Sequence, residues 1–219
     1  MTAHAVARLV YETGTFAKFP LHIWAVAMMY FHAFEECTAE RENDEESEKR
    51  GARPAVVQAA KLEQLMLGVT CLVLSVKANE NYLNSTEPER TTTARLAAVL
   101  DTTARVILSY TAGTVPTERI VQTKRRLKEF IPPTELSIMR VIRNALVPET
   151  AFSVSSVIMG AECTDLLVEL YSSPVCLNFP ASTLLYFASG EQKTNAALLE
   201  SVRPYFTPSS EEPVEPISP

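Results

Sequence analysis

Apolar residues recur at spacings of three and four over most of the chain, and no segment shows the sustained alternation of a half-buried strand. The clearest case covers residues 56–77. Leu62, Leu65, Met66, Val69, Leu72, Val73 and Val76 make one helical face, and Leu67, Cys71 and Leu74 carry the apolar character round to another. A helix that is apolar on nearly every side belongs at the centre of a bundle. Four segments are expected around it. Residues 3–16 hold Val6, Leu9, Val10 and Phe16. Pro20 opens 21–34, with Ile23, Ala27, Tyr30 and Phe34 on one stripe and Trp24, Met28 and Phe31 on another. Residues 93–110 present Leu96, Val99, Leu100, Ile107 and Tyr110, and the preceding threonines from Thr91 read as a cap. Pro132-Pro133 opens 135–146, with Leu136, Met139 and Ile142 turned inward and Pro148 as the stop. The expected class is all-α, with five helices and one of them central.

Beyond Pro148 the pattern restarts. Residues 152–171 read as helical, carrying Leu166, Leu167 and Leu170, with Gly160 a candidate break. Pro174 precedes a helical stretch over 175–188, and a last short helix is expected over 194–202. Five of the 14 prolines fall between Pro204 and Pro219, the composition of an unstructured tail. The expected organisation is therefore a first unit over 1–148, an abbreviated second helical repeat over 149–203, and a tail over 204–219.

Two charged stretches interrupt the first unit. The one at about 38–54 contains ERENDEESEKRGAR. Its plainer reading is a solvated loop or frayed helix extension; its sharper one is an acidic docking surface for a basic partner. The second, 111–131, contains Lys124, Arg125, Arg126 and Lys128. Here the plainer reading is a solvated amphipathic helix, and the sharper one is a nuclear-import signal or a phosphate contact.

Composition narrows the classes. Of 219 residues, 47% are apolar and 21% charged, which supplies a core and excludes a wholly disordered or collagen-like chain. The net charge of −6 argues against direct nucleic-acid binding. Cys37, Cys71, Cys163 and Cys176 form no C-x-x-C pair and read as free thiols of a reducing compartment. The start of the chain does not read as a signal peptide. The most apolar stretch, 19–34, falls short of the roughly 20 residues of a membrane span and contains His22 and His32. A soluble, intracellular protein is expected.

Catalytic chemistry is not apparent. The histidines His4, His22 and His32 have no serine or cysteine arrangement that marks a nucleophile. His32, Glu35 and Glu36 have metal-ligand spacing on one helix, but no second such pattern completes a site, so neither metal nor cofactor is expected. Phosphate-cradling glycine motifs are missing as well. A binding protein is favoured over an enzyme. Lys77 and Glu135 stand out by position. At the end of one helix and the start of another, each complements a helix dipole, worth about 0.3–1 kcal/mol.

Those positions also carry a resemblance. The run Cys71-Leu72-Val73-Leu74-Ser75-Val76-Lys77-Ala78-Asn79-Glu80 is similar to the end of the third cyclin-box helix. The run Glu135-Leu136-Ser137-Ile138-Met139-Arg140-Val141-Ile142 is similar to the fifth. Phe19-Pro20 followed by Met29-Tyr30-Phe31-His32-Ala33-Phe34 resembles the entry to and body of the second, and Tyr171, Pro174 and Leu184–Ala188 resemble positions of a second box. The chain thus resembles the cyclins, with the long interval between Lys77 and Glu135 nearer to the transcription-associated ones. The resemblance implies a five-helix cyclin box with a shortened second repeat. It implies that Lys77, Glu80 and Glu135 face a cyclin-dependent kinase, bound as a heterodimer in the nucleus or shuttling to it. An alternative keeps the fold and changes the partner, as in an adaptor or a protein like transcription factor IIB. A further alternative is an unrelated all-α scaffold.

Overall fold

A computed structural model describes residues 3–45, 54–109, 116–142, 148–154 and 159–189. Among them the chain is all-helical, without a strand. The central element is α3 (Pro54–Ala78), which packs against α1 (Ala3–Phe16), α2 (Leu21–Glu45), α5 (Thr92–Ser109) and α6 (Thr117–Ile142). Its position follows from its composition. Met66, Leu67, Val69, Cys71, Leu72, Val73, Leu74 and Val76 are all buried, and these residues point in every direction around the helix. At about 1.5–3 kcal/mol for each large apolar side chain, leaving any one side of α3 in water would cost more than the helix propensities can return.

The approach of α1 to α3 is unusually close. A Cβ at Gly68 would lie 2.3 Å from Val6 Cγ1 and 3.1 Å from Val10 Cγ2. Both valines are β-branched and held in a helix, so neither swings aside easily.

Between α3 and α5 lies α4 (Glu80–Thr86), a short helix absent from the sequence expectation. Seven residues with one buried apolar side chain, Leu83, give no periodicity to read. The helix is held from outside. Arg95 of α5 is fully buried and donates to Leu83 O at 2.8 Å, Glu87 O at 2.7 Å and Asn84 Oδ1 at 2.7 Å. A guanidinium at a helix C-terminus adds a charged donor to the last carbonyls, of which Leu83 O also accepts from the Glu87 amide at 2.8 Å. The expected cap of α5 is present: Thr91 Oγ1 accepts from the Ala94 amide at 3.3 Å.

The largest departure from the sequence reading is α6. Pro132 and Pro133 do not open a helix at Glu135; they lie inside one of 26 residues that begins at Thr117. An interior proline removes an N–H and costs about 3 kcal/mol. The compensation is the row Leu127, Ile131, Ile138 and Ile142, buried on one face at spacings of four, seven and four. Four such burials outweigh the two prolines, whose rings are exposed. Residues 117–131 are consequently part of the bundle rather than an inserted segment, although they are amphipathic as expected. Leu136 and Met139, expected inward, are exposed; Ile142 is buried.

The later helices are α7 (Ala151–Val154), α8 (Ala161–Tyr171), α9 (Val175–Asn178) and α10 (Ala181–Ala188). Gly160 ends the gap between α7 and α8, and Pro180 separates α9 from α10 within the single stretch expected there. They pack on one another and on α2, which also packs on α3, so α2 serves both groups of helices. Tyr171 pins them. It is fully buried, accepts from the Ala151 amide through its hydroxyl at 2.8 Å, and lies edge-on to Trp24 at 6.3 Å. The expected helix over 194–202, the tail from 204, and residues 46–53 of the acidic stretch lie outside the described residues; 40–45 continue α2.

Replacing Gly68 with alanine is expected to destabilise the protein by about 1–3 kcal/mol in urea unfolding, despite the roughly 1 kcal/mol by which alanine favours a helix. Adding Val6→Ala to that variant should recover part of the loss. A Gly68→Ala protein more stable than wild type would contradict the close approach of α1 to α3.

Candidate functional site

Lys77 and Glu135 meet. Lys77 lies in the last turn of α3, and its ammonium donates to both carboxylate oxygens of Glu135 on α6, at 2.7 and 2.8 Å. The lysine side chain is 42% exposed and the glutamate 14%. The pair borders a shallow recess of about 260 Å³ formed with Leu74, Ala78 and Met139. Leu136, 52% exposed, and Met139, 42% exposed, put apolar surface next to it on α6. The dipole reading holds for Lys77 alone, because Glu135 is near neither end of α6.

The ion pair leaves capacity unused. An ammonium has three donors and a carboxylate roughly four acceptor positions, so each group can take a further backbone partner without giving up the other. A half-exposed pair of this kind contributes at most about 1 kcal/mol to stability.

A buried chain of hydrogen bonds fixes the end of α3 two residues beyond Lys77. Asn79 Nδ2 donates to Ser75 O at 3.0 Å, which turns its Oδ1 toward His22 Nε2 at 2.9 Å. Since an amide oxygen only accepts, the imidazole proton resides on Nε2. His22 Nδ1 then accepts from the Thr150 hydroxyl at 2.9 Å, at the entry to α7. Ser75 Oγ donates to Ile23 O at 2.7 Å. The end of α3, the start of α2 and the start of α7 are thereby joined through groups that are all buried. None of Asn79, Thr150 or Ser75 was singled out by the sequence, because a lone polar residue carries no periodic signal.

Glu80 takes a different direction from Lys77 and Glu135. It is the first residue of α4, and its carboxylate accepts from the Thr92 hydroxyl at the start of α5. The basic cluster is divided as well. Lys124 is bound to Asp101 of α5 at 2.9 Å and is half-buried, whereas Arg125, Arg126 and Lys128 are exposed, Arg125 with Glu129 as a surface partner at 2.9 Å. Hydrogen bonds from Arg105 and Lys124 hold the Asp101 carboxyl below its ordinary value. His32 is committed to structure: its Nε2 donates to Tyr171 O at 3.3 Å. Among the described residues no group of three or more histidine, cysteine, aspartate or glutamate side chains is placed to hold a metal, and no helix is long and apolar enough to cross a membrane.

The chain matches no protein-family model, no curated protein and no solved structure.

Burial holds both His22 and His32 below the ordinary imidazole value, His32 down to about 4. The unfolded chain takes up these protons near pH 6.5, whereas the folded chain resists. Stability is therefore complete above about pH 7 and falls as pH drops toward 4, by about 1.4 kcal/mol per pH unit for His32, with His22 contributing in the same direction. Urea unfolding between pH 7.5 and 5 should show that slope, and His32→Gln should make it shallower. A flat profile for the wild-type protein would show that the imidazoles are not held neutral.

Proposed function

We propose that this chain is a cyclin-like regulatory subunit that binds and activates a cyclin-dependent kinase, with a link to transcription. The observation that carries the reading is the Lys77–Glu135 pair, joined across the end of α3 and the middle of α6 beside the exposed Leu136 and Met139. The arrangement of helices around α3, with α7–α10 laid on α2 as a shortened second repeat, is in keeping with a cyclin box and its follower. The chemistry is suited to the task. A lysine and a glutamate held side by side capture a carbonyl and an amide of a partner backbone, and neighbouring apolar side chains supply area that depends little on the partner's sequence.

Activation follows from selective binding. A kinase whose regulatory helix moves between inactive and active positions is driven to the active one by any partner that binds it there more tightly. Truncating one member of a charged pair desolvated in such an interface costs about 2–5 kcal/mol of affinity. The same pair contributes little to the folded monomer, so binding and folding separate cleanly on mutation. In this reading the protein works as a heterodimer, in the nucleus or moving between nucleus and cytoplasm. Arg125, Arg126 and Lys128 are the exposed members of the import cluster.

Affinity purification of the wild-type protein followed by mass spectrometry should recover a kinase in near-stoichiometric amount. Lys77→Glu and Glu135→Ala should each reduce that recovery at least tenfold while the far-UV circular dichroism is unchanged. Wild-type recovery with both variants would overturn the clamp. Basal transcription factors recovered without a kinase would instead favour the adaptor reading.

A further inference from the structure

On another part of the α3–α6 seam, toward the α3 N-terminus, lies a groove of about 770 Å³ bounded by α2, α3 and α6. Phe34, Leu67 and Phe130 give it apolar walls, and Glu35 and Glu63 line it with negative charge. A second recess of about 300 Å³ continues from it, sharing Phe34, Thr38 and Ser137 and ending at Arg140. The groove thus has an acidic end on α2 and α3 and a basic end on α6.

We propose that this groove docks a segment of a partner protein that presents a lysine or arginine side chain, with the aliphatic stem against Phe34 and Phe130 and the cation at Glu35. Charge and shape both select this occupant. Glu35 is half-buried and its described partner is the neutral amide of Gln64, whose Nε2 donates at 3.3 Å. Burial raises the Glu35 carboxyl above its ordinary value, so a carboxylate is held where its solvation is incomplete and a cation is the ligand that relieves this. Long cationic side chains are suited to such a place, because their stems cover apolar surface while the head reaches a polar end. A guanidinium or ammonium beside Phe34 or Phe130 gains a further attraction from the ring face. An anionic segment would meet two carboxylates at one end and gains only Arg140 at the other.

The site differs from the Lys77–Glu135 face in its lining residues and does not rest on the kinase reading. It gives the protein a second surface, able to hold a substrate or scaffold while the first is occupied.

The probe is a fluorescein-labelled 12-residue peptide alternating lysine with phenylalanine and serine, read by fluorescence anisotropy against the full-length protein at 50 and 200 mM salt. Saturable binding is expected at both. Glu35→Gln and Phe130→Ala should each weaken it five- to twentyfold. Ser137→Trp, a change at an exposed position that both recesses share, should block it while leaving thermal unfolding unchanged. Lys77→Glu should bind the peptide as the wild type does, so a failed kinase assignment and a failed groove are told apart. The proposal is overturned by absence of saturable binding. It is equally overturned by binding that disappears at 200 mM salt and ignores Phe130→Ala and Ser137→Trp, which is nonspecific attraction to the acidic helix. Preference for the same peptide with glutamate in place of lysine would reverse the assigned charge and reject it.

Discussion

The structure depends on one constraint: α3 cannot be left facing water on any side. Its buried residues from Met66 to Val76 are distributed all round the helix axis, so helices α1, α2, α5 and α6 are needed to enclose it. That requirement is strong enough to override local preference elsewhere. It holds α6 helical through two successive prolines, because the row from Leu127 to Ile142 is one of the walls. It also brings α1 so near that a single hydrogen at position 68, in place of a methyl, decides whether Val6 fits.

Enclosing α3 leaves α2 with a second apolar side, and that surplus organises the rest. Trp24 and Phe31 of α2 are buried in the core shared with Leu167, Leu170, Tyr171, Val175 and Phe187, so α7–α10 complete the same hydrophobic cluster rather than founding a separate one. Apolar area alone does not set the orientation of such a layer. The polar pins do: His32 to the Tyr171 carbonyl, and His22 to Thr150. Each buried donor left unpaired would cost about 1–3 kcal/mol, which penalises any shifted register.

Much of this was legible in the sequence, and the exceptions share a physical cause. The central helix, the ends of α1 and α5, the Thr91 cap and the break before α8 follow from periodicity and punctuation, which are local. The course of α6 was misread because Pro132-Pro133 is a strong local stop signal, while the row that overrides it stabilises the helix only through contacts with other helices. Helix α4 was missed for a similar reason, since it is held by Arg95 from another element. Of the candidate site, Lys77 and Glu135 were singled out by position, but their contact with each other is a finding of the structure. The direction of Glu80 toward Thr92 was not legible, nor was the division of the basic cluster between Asp101, Glu129 and solvent. Orientation around a helix end depends on where the neighbours lie, and no spacing rule contains that.

In the proposed reading, stability and recognition are separated over two residues at the end of α3. Asn79 is buried, bonded to His22 and to the Ser75 carbonyl, and tied through His22 to the entry of α7. Lys77 is half-exposed and paired with a single carboxylate. Loss of the first leaves unpaired polar groups in the interior; loss of the second removes an interaction worth at most about 1 kcal/mol. A residue that matters so little to its own fold is free to be selected for what it touches outside. If Lys77 meets a partner as proposed, rigid support of the α3 end by Asn79 reduces the backbone ordering to be offset on binding. The end of α3 thus sets a surface charge of small energetic weight beside a buried network of much larger weight.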